Sequence, residues 1–596
     1  QTKRTRRKRM ATTTTKDDEP TVGYPTYKYM EGVTTLRDIP HKINDEDPSS
    51  LSPSSMAIVV PNEDMKTNPG IDISISYTQL QSMIEQVAIA FTASTNNNNN
   101  NNSFQLAKGD IVSNVIPNSV EFIVSFYATT WCRGVSAPLN STYTQSEFEF
   151  YMKDNQSKCV LVPPSGNPAA EAAAKTLGIH VFVIEFDSTT MSMNVREKGG
   201  TAATAESALK ETEPEAKKSK PNDDDSTTNN ADQSPVFAPE PDDVALFLHT
   251  SGTTARPKGV PLTHGNLIAS MNNISTTYQL TPADNVLLVM PLFHIHGLMS
   301  ALNSTLATGG TVVLPPQTKF SASYFWHNVI QGNVTWVTAV PTIYQVLLLR
   351  YDKDYPKGSS NEPKFRFVRS CSSALAPAIL SEIEAKFKAP CVEAYAMTEA
   401  SHQMTSNPIE SDQPRKPGTV GKGTGVSVAI LDSNNNVITQ PNTEGEVCIR
   451  GKNVTKGYIG VSPEVNDEAF AGGWFHTGDQ GKLDEDGYLQ LTGRIKELIN
   501  RGGEKISPLE VDAAMLSHPA VAEAVSFSMP DDKYGELVAA AIVLKESDGD
   551  AESNTLDEQG LQEFLKDKLS VFKIPVKVFF DTKLPKTPTG KIQRRF

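Results

Sequence analysis

Short apolar runs alternate with stretches of helical periodicity along most of this chain, and that alternation constrains its fold more than any other feature. Ile75 to Leu80 runs into a helical pattern that ends near Phe91. Leu106 to Val115 carries a Gly-Asp turn and then a strand, Asn118 to Tyr127 reads as a helix, and Val135 to Leu139 as the next strand. Val244 to Leu248, Val286 to Pro291, Thr311 to Leu314, Val334 to Val340 and Arg366 to Ser370 read as further strands, separated by helical stretches such as Ala378 to Phe387. Alternation of this kind predicts parallel sheets with helices on their faces. At 596 residues the chain is too long for a single core. Near Gly445 the texture changes to short strands and turns, and after Arg494 a compact tail of roughly a hundred residues follows. In that tail Ser507-Pro508-Leu509-Glu510 reads as a capping box with proline at the first helical position. Leu561, Phe564, Leu565 and Leu569 share one helical face, and Val538 to Leu544 reads as a buried strand, so the tail is expected to be a small α+β domain with its own core.

Three segments fall outside this pattern. Residues 1–20 are basic, Lys3 to Arg9 above all, and lack the apolar centre of a secretory signal; they read as a solvated tail. Asn96 to Asn102 is an asparagine tract, inside an insertion near 94–103. From 188 to 239 the chain turns polar, with Lys217-Lys218 and Asp223-Asp224-Asp225, and carries too little apolar surface to order itself. A net charge of −14 argues against nucleic acid as the main partner. No apolar run approaches the roughly 18 residues of a membrane span. Five scattered cysteines, with no pair at metal-ligand spacing, fit a reducing compartment and structural thiols. A cytoplasmic or peroxisomal location is consistent with this, although no Ser-Lys-Leu ending is present to be read.

The chemistry concentrates in His249 to Val260, His-Thr-Ser-Gly-Thr-Thr-Ala-Arg-Pro-Lys-Gly-Val, which follows the apolar run Val244 to Leu248. Glycines let backbone amides approach a ligand, and hydroxyls and cations add donors and positive charge, a combination suited to a polyphosphate. It does not fit a Walker loop. Pro261 to Leu267 after it reads as a turn and a helix start. Four later segments carry reactive side chains: Tyr395-Ala396-Met397-Thr398-Glu399 at a strand end, Gly473-Trp474-Phe475-His476-Thr477-Gly478-Asp479 at a glycine-flanked turn, Gly493-Arg494-Ile495-Lys496-Glu497, and Pro588-Thr589-Gly590-Lys591. Taken singly, each also reads as a packed tyrosine, a turn aspartate, a surface arginine or a surface lysine.

Together, and in this order, the segments resemble the adenylate-forming superfamily of acyl-CoA synthetases, firefly luciferases and nonribosomal adenylation domains. The resemblance covers nearly the whole chain apart from the basic start and the two insertions. It implies an α/β fold with a large N-terminal domain over 21–493, built of mostly parallel sheets with a small β-barrel-like subdomain, and a small mobile α+β C-terminal domain over 494–596. It implies activation of a carboxylate by ATP and Mg2+ to an acyl-adenylate, with transfer to coenzyme A; no carrier module is expected after Lys591. Attack of a carboxylate on the α-phosphate brings anion to anion, so such a site must neutralise charge. By the same resemblance Thr250, Ser251, Gly252, Thr253, Thr254 and Lys258 hold the β- and γ-phosphates, Glu399 holds the metal, and Thr398 contacts a phosphate. Ser373 and Ala374 bind the nucleotide, Tyr395 stacks on adenine, Asp479 and Arg494 take the ribose, and Lys591 bridges the carboxylate and α-phosphate. Lys496 matches the hinge about which the small domain would turn to bring Arg501-Gly502-Gly503-Glu504-Lys505 to the site for the thiol step.

The acid is less constrained. The segments matching the acid pocket, Pro291 to Gly297, Arg369 to Leu375 and Glu399 to Met404, are polar and contain three histidines. Ala394 to His402 is similar to the oxalate–CoA ligase branch, with Ala396 where glycine is common in the superfamily. Oxalate is therefore the expected acid, with His296, Ser372 and His402 as its contacts; His294 serves equally as a packing residue. A 4-coumarate or medium-chain fatty acid ligase, and a catalytically silent nucleotide-binding regulator, stay open as alternatives. Oligomeric state is not encoded in any of these features.

Overall fold

A computed structural model describes residues 26–39, 55–63, 71–92, 104–198, 238–250, 257–357, 362–409, 413–545 and 556–594. The basic tail, the asparagine tract and Ser251 to Thr254 lie outside the described residues. The architecture is α/β. A nine-stranded sheet has Trp336–Ala339, Asn285–Leu287 and Phe367–Cys371 at its centre, with parallel pairing from Met56–Pro61 through to Cys391–Met397 and antiparallel strands only at its edges. A seven-stranded sheet is built the same way around Ile111–Asn114 and Val135–Pro138. Helices Tyr77–Thr92, Val120–Trp131 and His264–Tyr278 lie between the two sheets and share one core with both. Val120–Trp131 is buried along its whole length, as expected of a helix sandwiched between layers rather than facing solvent.

Beyond these sheets, Ser427–Leu431, Gly445–Arg450, Phe475–Leu483 and Leu489–Arg494 form a four-stranded antiparallel sheet. A separate C-terminal core gathers Ile499, Val511, Met515, Ile542, Leu561, Leu565 and Leu569 under a sheet whose longest pair is Val521–Asp531 with Gly535–Leu544. Each fully buried aliphatic side chain of this kind contributes about 1.5–3 kcal/mol, which makes the small unit a core in its own right.

Four local expectations need correction. Pro261 lies in a strand, Lys258–Thr263, rather than a turn; this strand is the edge of its sheet, the one place where a residue without an N–H costs no ladder bond. Helix His264–Tyr278 does start where expected, with Thr263 accepting from the Asn266 N–H. Asp479 sits in strand Phe475–Leu483 and not in a turn; positive φ at Gly478 (+73°) bends the strand without ending it. The polar run begins later than 188, because Ser192–Glu197 pairs antiparallel with His180–Asp187 and tucks Met193 into the core; residues 199–237 lie outside the described residues. Only half of the capping box at Ser507 forms. Its hydroxyl accepts from the Glu510 N–H, while the Glu510 carboxylate turns to Lys573 Nζ at 2.7 Å.

Candidate active site

The two arms of the expected phosphate loop form a hairpin in which Thr250 stands opposite Lys258. Below it His249 Nε2 lies 3.0 Å from Asp154 Oδ2. A side chain at Gly259 would meet Phe247 Cζ at 2.4 Å and the Ile459 carbonyl oxygen at 3.1 Å, and the Ile459 N–H donates to the Gly259 carbonyl at 2.9 Å. That contact seats Tyr458 against the hairpin. Lys258 Nζ lies 4.4 Å from the Tyr458 ring centroid, and the Tyr458 hydroxyl donates to Glu399 Oε1 at 2.7 Å. Sequence reasoning missed Tyr458, which is flagged only by the glycines at 457 and 460 around it.

Glu399 is buried, and among the described residues no lysine or arginine nitrogen lies within ion-pair distance of it. Burial pushes its carboxyl above the usual range, against the Tyr458 hydrogen bond and the Lys258 charge. A buried carboxylate without a close cationic partner, offering hard oxygen, fits a divalent cation such as Mg2+. Thr398 opens the short 3-10 turn Thr398–Ala400 that carries Glu399 off the end of strand Cys391–Met397.

Tyr395 lies in that strand, and its hydroxyl donates to Asp479 Oδ2. Asp479 pairs in register with Arg494, whose Nε lies 3.2 Å from Asp479 Oδ1. Burial raises the Asp479 carboxyl, with Arg494 opposing. Ser373 and Ala374 are exposed in the loop after Phe367–Cys371, at the same strand ends. The Lys591 turn reaches this place from the C-terminal unit. Gly590 takes φ of +86°, and its carbonyl accepts from Thr342 Oγ1 at 2.9 Å across the interface. Burial lowers the Lys591 ammonium, Arg494 adds to that, and Asp479 and Glu399 act in the opposite sense. The structure thus brings Lys591, Asp479, Arg494 and Glu399 within electrostatic reach of one another. Lys496 is exposed in the turn after Leu489–Arg494; burial lowers the Lys258 ammonium, Glu399 opposes that, and the Lys496 charge adds to the lowering. Arg501 and Glu504 lie in a hairpin turned by Gly502 and Gly503, with the Arg501 guanidinium over the Tyr534 ring.

The residues expected to line an acid pocket converge from three elements. His296 starts a π-helical segment, His296–Asn303, a wide turn often associated with functional sites. Gly297 is obligatory there, since a Cβ would lie 2.5 Å from the Pro291 carbonyl oxygen and 2.7 Å from that of Met290. Ser372 and His402 both take left-handed backbone, φ +75° and +102°, a strain that persists where surrounding structure enforces it. His296 Nδ1 lies 3.1 Å from Ser372 Oγ, and the His296 and His402 rings stack with centroids 5.0 Å apart. His402 is 1 % exposed, and among the described residues neither ring nitrogen has a hydrogen-bond partner. Burial, followed by the charge of Arg369, holds both imidazoles well below the usual histidine range, and burial with Lys591 brings His294 down to about 3.

Arg369 itself is fully buried beneath these rings. Its Nε donates to Tyr278 Oη at 2.7 Å, Nη1 to Thr338 Oγ1 at 3.0 Å and Nη2 to Gln403 Oε1 at 3.0 Å. Among the described residues no carboxylate lies within ion-pair distance of it. Arg369 and Gln403 lie inside the polar segments matched to the acid pocket, but nothing in the sequence assigns either a role or marks Thr338 or Tyr278.

The five cysteines are free and buried. Linear spacing pairs none of them with a metal ligand, yet the fold brings Cys448, Glu446 and His476 together, with ligand atoms within 4.8 Å. These groups hold one another: His476 Nδ1 is 2.8 Å from Glu446 Oε2, His476 Nε2 3.1 Å from the Ala471 carbonyl, and Glu446 Oε1 accepts from the Gly478 N–H at 3.0 Å. The cluster latches the strand that carries Asp479. No helix among the described residues is long and apolar enough to cross a membrane.

Comparison with known proteins agrees with this geometry. The family described as AMP-binding enzyme matches residues 57–459, and the AMP-binding enzyme C-terminal domain matches residues 510–591. A probable CoA ligase, CCL9, of Humulus lupulus is 48% identical over 88% of this chain and 91% of its own length. An oxalate–CoA ligase of Arabidopsis thaliana is 46% identical over 88% of this chain and 92% of its own. The crystal structure of ATP-bound MatB from Rhodopseudomonas palustris superposes with a TM-score of 0.74 at 29% identity, covering 94% of this chain and 97% of that one. With matches to both parts of the family, this chain belongs to the AMP-binding enzyme family, the adenylate-forming superfamily that its motifs resemble.

Proposed function

We propose that the protein is an ATP-dependent, AMP-forming acid–CoA ligase whose acid is oxalate. The observation that carries the choice of acid is His402, a buried imidazole whose nitrogens find no partner among the described residues, stacked on His296 beside Ser372. A buried N–H left without a partner costs about 1–3 kcal/mol, and a small diacid offers a carboxylate oxygen to accept from the N–H of the neutral ring. A fatty or cinnamic tail in the same place would set that N–H against hydrocarbon and leave the cost in full. The similarity to an oxalate–CoA ligase supports the same reading.

In this account one carboxylate oxygen of the acid attacks the α-phosphorus of ATP, the bond to pyrophosphate breaks, and the acyl-adenylate forms. Lys591 neutralises charge between the carboxylate and the α-phosphate. Thr250, Lys258 and Thr398 steady the phosphates, and by the sequence motif Ser251, Gly252, Thr253 and Thr254 share in holding them. Glu399 would hold Mg2+, which supplies charge neutralisation on the phosphates. Adenine stacks on Tyr395, Ser373 and Ala374 contact the nucleotide, and Asp479 with Arg494 takes the ribose. Rotation of the small domain at Lys496 then withdraws Lys591, the coenzyme A thiolate attacks the acyl carbonyl, and AMP leaves. A lysine acting on developing charge should govern rate more than ATP affinity.

The test is initial-rate turnover with oxalate, malonate, succinate, 4-coumarate and octanoate. The reading expects kcat/KM for oxalate at least tenfold above every other acid. Preference for 4-coumarate or octanoate would overturn the choice of acid and leave the adenylation chemistry standing.

A further inference from the structure

The guanidinium of Arg369 is fully buried and, among the described residues, faces no carboxylate. A buried cation usually has an anionic partner. Here the three hydrogen bonds go to neutral oxygens, and the nearest ligand-facing group is His296, whose Nε2 lies 3.5 Å from Arg369 Nη1. Thr338 stands opposite Arg369 in the parallel register and lies between the two, with Oγ1 3.0 Å from Nη1 and 2.7 Å from His296 Nε2.

The proton directions follow from this chain of atoms. A guanidinium only donates, so Thr338 Oγ1 accepts from Nη1 and can turn its own proton to His296 Nε2. An N–H on Nε2 would also point at the Arg369 donor, so Nε2 is the acceptor. The remaining ring proton is then on Nδ1, which faces Ser372 Oγ at 3.1 Å on the pocket side. Gln403 is fixed in the matching orientation. Its Nε2 donates to Thr424 Oγ1 at 3.2 Å and Thr277 Oγ1 at 3.3 Å, which leaves Oε1 to accept from Arg369 and Tyr278.

We propose that Arg369 is a positioning residue for acid selection. It holds His296, through Thr338, as the neutral Nδ1–H donor, and it leaves a positive charge beneath the pocket that favours a dianion over a monoanion of the same shape. The substrate part of this proposal rests on the reading of the pocket as a small-diacid site; the tautomer part does not. Arg369 touches no substrate in this account, and its charge acts through the stacked histidines.

Oxamate has the shape of oxalate with one negative charge fewer, so the two acids separate charge from fit. Arg369→Met is expected to lower kcat/KM for oxalate at least tenfold more than for oxamate, chiefly through KM, with the KM for ATP within threefold of wild type. Arg369→Lys is expected to restore most of the lost discrimination. Equal losses on the two acids in Arg369→Met and in Arg369→Lys would overturn the charge-selection role and leave a packing role. The tautomer is read separately, by long-range 1H–15N correlation on the 15N-histidine-labelled full chain, with His296 assigned by His296→Asn. Proton on Nδ1 and a bare Nε2 are expected; a proton on Nε2 would overturn the relay. If Arg369→Met fails to fold, Arg369→Lys and the tautomer spectrum still decide. If the wild type turns over no oxalate, the diacid reading fails by itself, while the spectrum decides the role of Arg369 on His296.

Discussion

Tyr458→Phe removes a single hydroxyl from the site and leaves the ring that lies 4.4 Å from Lys258 Nζ. The hydroxyl donates to Glu399 Oε1 at 2.7 Å, inside a buried region, to the carboxylate expected to hold the metal. A hydrogen bond to a charged acceptor is worth about 1.5–3 kcal/mol. At about 1.4 kcal/mol per factor of ten, its loss predicts a fall of roughly 10- to 100-fold in kcat/KM for adenylation at neutral pH. The variant also shifts the pH dependence. Burial raises the Glu399 carboxyl and the Tyr458 bond holds it down, so deleting the donor moves ionisation to higher pH. If the ionised form is the active one, the acidic limb of the kcat/KM profile moves up with it. ATP–pyrophosphate exchange as a function of pH measures both effects. Tyr458→Leu, which also loses the cation–π contact, should fall further by about 0.5–2 kcal/mol. Activity within twofold of wild type and an unmoved acidic limb in Tyr458→Phe would refute the coupling of Tyr458 to Glu399.

Two further perturbations test parts of the fold that support the site. Gly297→Ala places a methyl 2.5 Å and 2.7 Å from two backbone oxygens, and overpacking of this kind costs about 1–3 kcal/mol; the denaturant midpoint should fall and the KM for the acid rise, because His296 is the adjacent residue. An unchanged midpoint would mean the π-helical start has room to move. Glu393 is buried and its carboxyl is pushed up to about 8, with only the Gly418 N–H acting against that. Between its ordinary value of 4.5 and about 8 the unfolded chain ionises while the folded chain keeps the proton, so this residue's stabilising contribution is lost as pH rises through that window. Urea unfolding at pH 5 and pH 8 should show the wild type losing stability relative to Glu393→Gln at the higher pH; a constant difference would count against a protonated Glu393.

The alternation of strands and helices was legible because parallel strands buried on both faces read as short apolar runs. Val334 to Val340 and Arg366 to Ser370 became Trp336–Ala339 and Phe367–Cys371 within two residues at each end. The expected site residues Glu399, Asp479, Arg494 and Lys591 each sit beside a glycine or at a strand end, where backbone geometry leaves a mark on composition. Strand Lys258–Thr263 was hidden by its proline, tolerated only because the strand lies at a sheet edge. Strand Ser192–Glu197 was hidden because one of its faces is polar. Arg369, Thr338, Gln403 and Tyr278 belong to four elements separated by up to 125 residues, and their network exists only through cross-strand register. The same holds for Glu446, Cys448 and His476, which no linear spacing connects. Strain at Ser372 and His402 was not legible at all, since nothing in either residue type announces a positive φ.

The most direct measurement of the central claim combines ATP, Mg2+, coenzyme A and oxalate with the full chain and follows pyrophosphate, AMP and the acyl-CoA product together, with Lys591→Ala alongside. The account predicts stoichiometric pyrophosphate, AMP and oxalyl-CoA from the wild type, pyrophosphate release that depends on oxalate, and a loss of at least a hundredfold in kcat in Lys591→Ala with the KM for ATP little changed. Release of ADP and phosphate in place of AMP and pyrophosphate, or a Lys591→Ala variant that forms the adenylate at the wild-type rate, would contradict it.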